Sequence, residues 1–143
     1  MRWQHGQLIL LDQTKLPLEE AYITCTTWQD VYDAISILAV RGAPAIGIAA
    51  AYGVVLAAQT IVKTEPALAT ASFLQKLADC CQKLDASRPT AVNLHWALEK
   101  MQAKAFSLAH QPTADILSAL ETLAIQLHQE DIEINTAMSV YGA

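Results

Sequence analysis

The stretch Gly42-Ala43-Pro44-Ala45-Ile46-Gly47-Ile48-Ala49-Ala50-Ala51-Tyr52-Gly53-Val54-Val55-Leu56-Ala57-Ala58-Gln59-Thr60-Ile61-Val62 contains no charged residue and lies between Arg41 and Lys63. It is long enough to cross a bilayer core of about 30 Å. Its composition points elsewhere. Ala and Gly dominate over Leu, Ile and Phe, and small residues gain little from lipid. Gly47, Ala49, Ala50, Ala51 and Gly53 would instead let other helices approach closely. A helix apolar on every side suits the centre of a soluble bundle. The expected architecture is therefore helices packed around this one, with no membrane partner.

The flanking sequence extends that reading. Pro44 sits where a first helical turn tolerates it, and Gly42 is a natural residue to end the preceding helix. That preceding helix begins at Thr27 as N-cap, with Asp30 three residues later as the capping-box acid. Val31, Ala34, Ile35, Leu38 and Ala39 mark its apolar face. Three more helices are expected downstream. The first runs from about Pro66 to Asp85, with Phe73, Leu74, Leu77 and Leu84 inward. The second runs from about Thr90 to Ala109, and the third from about Thr113 to Tyr141. Upstream, Trp3-Gln4 and Gln7 to Leu11 read as strands joined at His5-Gly6, and Ala21 to Thr26 as a further short β segment. The fold class is mainly α: a small β element over residues 1–26, hairpin plus short strand, then a five-helix bundle over 27–143.

Composition narrows the function. The 143 residues are 53% hydrophobic and 16% charged, against about 25% charged in a typical soluble domain. Lys plus Arg number 9 against 14 for Asp plus Glu, which argues against nucleic acid as a partner. So apolar a domain has more nonpolar surface than its own core uses, and self-association or an apolar partner is expected. Cys25, Cys80 and Cys81 form no regular framework and no CxxC pair. They read as reduced thiols, with neither a disulfide nor a structural zinc. The start Met1-Arg2-Trp3-Gln4-His5-Gly6 lacks a signal-peptide pattern, and a cytoplasmic location is expected.

Chemistry enters at Arg41-Gly42-Ala43-Pro44. The first amides of a helix have no intrahelical partner, and together with the helix dipole they favour an anion. A guanidinium just before them can bind phosphate bidentately, and Gly42 leaves room for the ligand. Arg88, in Ser87-Arg88-Pro89-Thr90, occupies the same setting at a second helix start. A lone arginine before a helix serves equally as a solvated charge or a partner for Asp or Glu. Two of them bring a shared phosphate pocket level with that reading. His5, His95, His110 and His128 show no metal-ligand spacing. His95, beside Trp96, could line a pocket but reads better as a satisfied or surface histidine. Tyr52 and Asn93 could approach a sugar, with capping of buried backbone the stronger reading. Asp131 and Glu133, two apart on a helix, point to different faces and make no carboxylate pair.

Val40-Arg41-Gly42-Ala43-Pro44-Ala45-Ile46-Gly47-Ile48-Ala49-Ala50-Ala51-Tyr52-Gly53 resembles the signature of the methylthioribose-1-phosphate isomerase family. That family is related to regulatory subunits of the initiation factor 2B exchange factor. The opening Trp3, Gly6 and Leu8 to Gln13 with Leu16-Pro17, and Arg88-Pro89-Thr90-Ala91-Val92-Asn93-Leu94 with Trp96-Ala97-Leu98, resemble two further family segments. The resemblance implies an aldose–ketose isomerisation of 5-methylthioribose 1-phosphate to 5-methylthioribulose 1-phosphate, in methionine salvage, without metal or organic cofactor. It implies Arg41, Gly42, Ala43 and Arg88 as substrate-binding residues. It also implies a C-terminal Rossmann-like domain, carrying a catalytic Cys in a Cys-Asn-Ala-Gly motif and a catalytic Asp, that this chain lacks. None of Cys25, Cys80 and Cys81 precedes Asn-Ala-Gly, so no catalytic residue is expected in this chain and it should be inactive alone. The segment Ala137-Met138-Ser139-Val140 departs from the family's more polar pattern. A full-length protein would be a homo-oligomer, a dimer, with the second domain as a further partner. A non-catalytic regulatory or scaffold domain, or a ribose-1,5-bisphosphate isomerase domain, are the competing assignments.

Overall fold

A computed structural model describes residues 2–11, 22–36, 43–88 and 91–142. Three short strands come first: β1 (Arg2–Gln4), β2 (Gln7–Leu11) and β3 (Tyr22–Cys25), antiparallel in the order β1-β2-β3. His5 and Gly6 join β1 to β2 with φ of 54° and 71°. Two successive positive φ values make the turn whose twist matches a tight hairpin. Trp3 pairs with Leu8 and Leu8 with Cys25 across the sheet, so these three share a face. Leu8, Leu10 and Cys25 are buried.

Five helices follow: α1 (Trp28–Ser36), α2 (Ala43–Thr64), α3 (Thr70–Asp85), α4 (Val92–Ser107) and α5 (Thr113–Gly142). The capping box at α1 forms in both directions. The Asp30 amide donates to Thr27 Oγ1 at 3.2 Å, and the Thr27 amide donates to Asp30 Oδ2 at 3.3 Å. Val31, Ala34 and Ile35 are buried as expected; Leu38 and Ala39 lie outside the described residues. On α3, Phe73, Leu74, Leu77 and Leu84 face the core, joined by Cys81.

Two helix bounds differ from the sequence-based expectation. α3 starts at Thr70, after Pro66. The Leu68 amide donates to the Glu65 carbonyl at 3.1 Å, which places Pro66 at the second position of a β-turn, a site its fixed φ favours. α4 stops at Ser107 because its last turn tightens. The Leu108 and Ala109 amides reach back three residues, to the Ala105 and Phe106 carbonyls, and the Ser107 hydroxyl donates to the Lys104 carbonyl.

α2 is the hub. It packs against α1, α3, α4, α5 and β2. Residues Ala45–Thr64 have the length and hydropathy of a membrane span, yet 78% of that window is buried inside the protein. Two glycines set the closest approaches. A Cβ on Gly53 would sit 3.2 Å from Val31 Cγ1 and 3.3 Å from Leu84 Cδ1. At Gly47 it would sit 2.9 Å from the Asn93 carbonyl oxygen. The small-residue stripe therefore does what its composition suggested, letting α1, α3 and α4 close onto one helix.

Candidate anion site

The Gly47 contact also brings two helix starts together. Gly47 lies in the first turns of α2, and Asn93 is the second residue of α4. The Asn93 backbone oxygen lies over Gly47, and Ala97 Cβ would be 3.6 Å from a methyl group there. The N-termini of α2 and α4 thus lie side by side.

At the α4 start, α3 first unwinds. The Ser87 amide and hydroxyl both donate to the Leu84 carbonyl, at 3.0 Å and 2.6 Å. The Ala91 amide then donates to the Arg88 carbonyl at 2.9 Å. Ala91, the N-cap, is extended at φ −81° and ψ 103°, and contributes no side-chain cap. An alanine cap leaves the first amides of α4 without the side-chain acceptor that Ser or Asp would supply. Arg88 is half-buried in the turn that leads into them. Ala43 is the first residue of α2. Arg41 and Gly42 lie outside the described residues.

Tyr52 and His95 are placed by their partners, and the side chains of Asp131 and Glu133 lie outside the described residues. Tyr52 is 1% exposed. Its hydroxyl lies 2.7 Å from His128 Nδ1, and its ring stacks on Trp3 at 4.8 Å between centroids. Trp3 Nε1 donates to Glu121 Oε2 at 3.3 Å. Burial, and then the Glu121 charge, push the Tyr52 phenol up to about 12, so it stays protonated. This cluster ties β1, α2 and α5 together. The one hint of it in the sequence is a tyrosine inside an otherwise apolar helix. His95 is a surface histidine held between Asp85 (3.3 Å) and Glu99 (3.0 Å), beside a hollow of about 310 Å³ lined by Cys81, Gln82 and Leu98. A second open hollow of about 300 Å³ lies between α1 and α3, lined by Trp28, Tyr32, Asp33 and Lys83. Neither hollow includes Arg88.

No reactive thiol is available. Cys25 and Cys81 are fully buried, and burial pushes each up to about 12, helped by Asp30 and Cys80 respectively. Burial also raises Cys80. A thiol, not a thiolate, is a poor nucleophile or base. Among the described residues, no three of His, Cys, Asp and Glu come together as a metal site would require.

A model of the initiation factor 2 subunit family matches residues 39–143. The chain belongs to that family. Among the family's proteins, it is 45% identical over 140 residues to a methylthioribose-1-phosphate isomerase of Desulforamulus reducens, covering 98% of this chain and 39% of that protein. Its fold matches the crystal structure of 5-methylthioribose 1-phosphate isomerase from Pyrococcus horikoshii with a TM-score of 0.90 at 32% identity, covering 99% of this chain and 38% of that one. It also matches the translation initiation factor eIF-2B subunit delta from A. fulgidus, with a TM-score of 0.82 at 35% identity, covering 92% of this chain and 37% of that one. The chain therefore spans about two fifths of the length of these initiation factor 2 subunit family relatives.

Proposed function

We propose that this chain is the N-terminal, phosphate-gripping part of an isomerase acting in the cytoplasm on 5-methylthioribose 1-phosphate. The observation that carries the reading is the side-by-side start of α2 and α4 at Gly47 and Asn93, with Arg41 and Arg88 each just before one of those helices. Two adjacent helix N-termini, each preceded in the sequence by an arginine, favour an anion. Arg41, Gly42, Ala43 and Arg88 hold the phosphate and the neighbouring sugar oxygens there. The similarity to named isomerases supplies the substrate class.

The reaction moves hydrogen between C1 and C2 of a sugar whose anomeric oxygen is phosphorylated. That needs a group able to give and take a proton beside the substrate. The buried thiols and the protonated Tyr52 phenol are unsuited to it. The catalytic groups belong to a further domain, so the 143 residues alone bind without turnover.

The test is a two-dimensional amide NMR titration of the chain with 5-methylthioribose 1-phosphate, repeated with ribose 1,5-bisphosphate and inorganic phosphate. Amides of Ala43, Ala45, Val92 and Asn93 should shift together and saturate, with the methylthio sugar binding more tightly than free phosphate. Arg41→Ala should cost about 2–3 kcal/mol of binding, as loss of a charge-assisted bidentate contact does. Arg41→Lys should lose most of this, since lysine keeps the charge and loses the fork. Arg88→Ala should behave like Arg41→Ala. Wild-type binding by both Arg41 variants would refute the anion site, and tighter binding of the bisphosphate would reassign the substrate.

A further inference from the structure

Tyr52 and Asn93 are the two side chains that the sequence offers to a sugar, and the fold treats them differently. The Tyr52 hydroxyl is buried and lies 2.7 Å from His128 Nδ1. Asn93 is half-buried, and its carboxamide has no hydrogen-bond partner among the described residues. No unpartnered side-chain polar atom among those residues is sealed from solvent, so the Asn93 carboxamide is within reach of a ligand. Gly47 fixes where it stands. The Asn93 carbonyl lies over that glycine, and Ala97, four residues on and 1% exposed, is the next part of α4 against it. Asn93 and Ala97 therefore share the side of α4 that faces α2. Helical Cα–Cβ bonds lean toward the helix N-terminus. From the second position of α4, the Asn93 side chain thus leans toward the corner where the two helices begin. Arg88, in the turn before α4, is also half-buried, and it forms no ion pair among the described residues.

The residue type matters as much as the place. The positive end of a helix favours a carboxylate in its first turn, and an aspartate here would compete with a bound phosphate. A carboxamide is neutral and leaves that end to the ligand. It presents N–H donors and a carbonyl acceptor together, which matches a sugar hydroxyl, itself both donor and acceptor. In an aldose 1-phosphate, the hydroxyl nearest the phosphate is the one on C2, next to the phosphorylated carbon. We propose that Asn93 is a substrate-binding residue whose carboxamide reads this C2 hydroxyl, selecting a ribose-type sugar over its 2-deoxy counterpart. C2 is also one of the two carbons between which hydrogen moves, so the same contact orients the reacting part of the sugar. The inference rests on the proposed anion site, which anchors the phosphate.

Ribose 1-phosphate and 2-deoxyribose 1-phosphate differ by that one oxygen. Amide NMR titrations of the chain with each sugar, and with inorganic phosphate, test the proposal. Wild type should bind the ribose sugar about three- to tenfold more tightly than the deoxy sugar, the size of one neutral hydrogen bond. Asn93→Ala should erase that ratio and leave phosphate binding as it was. Its unfolding midpoint should not fall, because the carboxamide has no partner in the protein to lose. Asn93→Asp should weaken all three ligands by about tenfold, through repulsion between the carboxylate and the phosphate. Wild type that binds none of the three overturns the anion site, and this proposal with it. Phosphate binding without discrimination between the sugars, or discrimination that survives Asn93→Ala, overturns the role of Asn93 and leaves the anion site standing. Phosphate binding unchanged in Asn93→Asp, or a lowered midpoint in Asn93→Ala, overturns it equally, by placing the side chain away from the ligand or in the service of the fold.

Discussion

α2 and α4 start together and lie against each other, yet they meet their surroundings differently. α2 is buried on every side over most of its length, with Ala49 to Ala58 all nearly inaccessible. α4 is buried on one face and open on the other, where Val92, Trp96 and Phe106 stand in solvent. The same contrast divides their polar side chains. Tyr52 of α2, itself buried, finds the half-buried His128 at 2.7 Å. His95 of α4 finds Asp85 and Glu99 at the surface. Losing a polar contact leaves a buried group such as the Tyr52 hydroxyl unsatisfied at a cost, whereas water replaces a lost surface contact almost freely.

The largest effect should come from Tyr52→Ala, which opens a cavity beneath Trp3 and removes the bond to His128. A loss of about 3–5 kcal/mol is expected from denaturant unfolding, as for other buried aromatic truncations. A loss below about 1 kcal/mol would mean that α2 tolerates change as a surface helix does. Gly47→Ala comes next. Its methyl group would lie 2.9 Å from the Asn93 carbonyl oxygen, a backbone atom that cannot rotate away. Overpacking of about 1–3 kcal/mol should exceed the roughly 1 kcal/mol gained in helix propensity. The same variant should weaken phosphate binding by prying the two helix starts apart. A stabilised variant with unchanged binding would show that the α2–α4 junction yields easily.

Tyr52→Phe isolates the hydroxyl from the ring, and about 1 kcal/mol should be lost. Comparing it with Tyr52→Ala separates packing from hydrogen bonding at one position. The smallest effect belongs to His95. The hydrogen bond to Asp85, then the charge of Glu99, raise its pKa above the ordinary 6.5. A group raised on folding contributes fully below its unfolded pKa and loses that contribution as the pH climbs through the raised value. Unfolding titrations on either side of that window should show wild type slightly more stable on the acid side. His95→Gln should flatten the difference. An equal pH slope in the variant would assign it to other groups.

Much of this molecule follows from residues close together in the chain. The His5-Gly6 hairpin needs only two residues that accept positive φ. The Thr27–Asp30 box spans three residues. The all-apolar α2 implies by composition alone that other helices surround it. The proposed anion site is read from the sequence as two arginines before two helix starts, of which Arg41 lies outside the described residues. Pro66 was harder, because proline is as much at home in a turn as in a first helical turn, and here the turn prevails. What only the folded chain decides is which distant groups meet. Tyr52 and His128 are 76 residues apart, and Trp3 and Glu121 are 118 apart. No local preference selects those partners. They are chosen by how α5 and β1 lie across α2, with burial then demanding that each polar atom be matched. The same holds for Gly47 beneath the Asn93 carbonyl. Glycine in the sequence announces a close approach, but only helix packing names the atom that makes it.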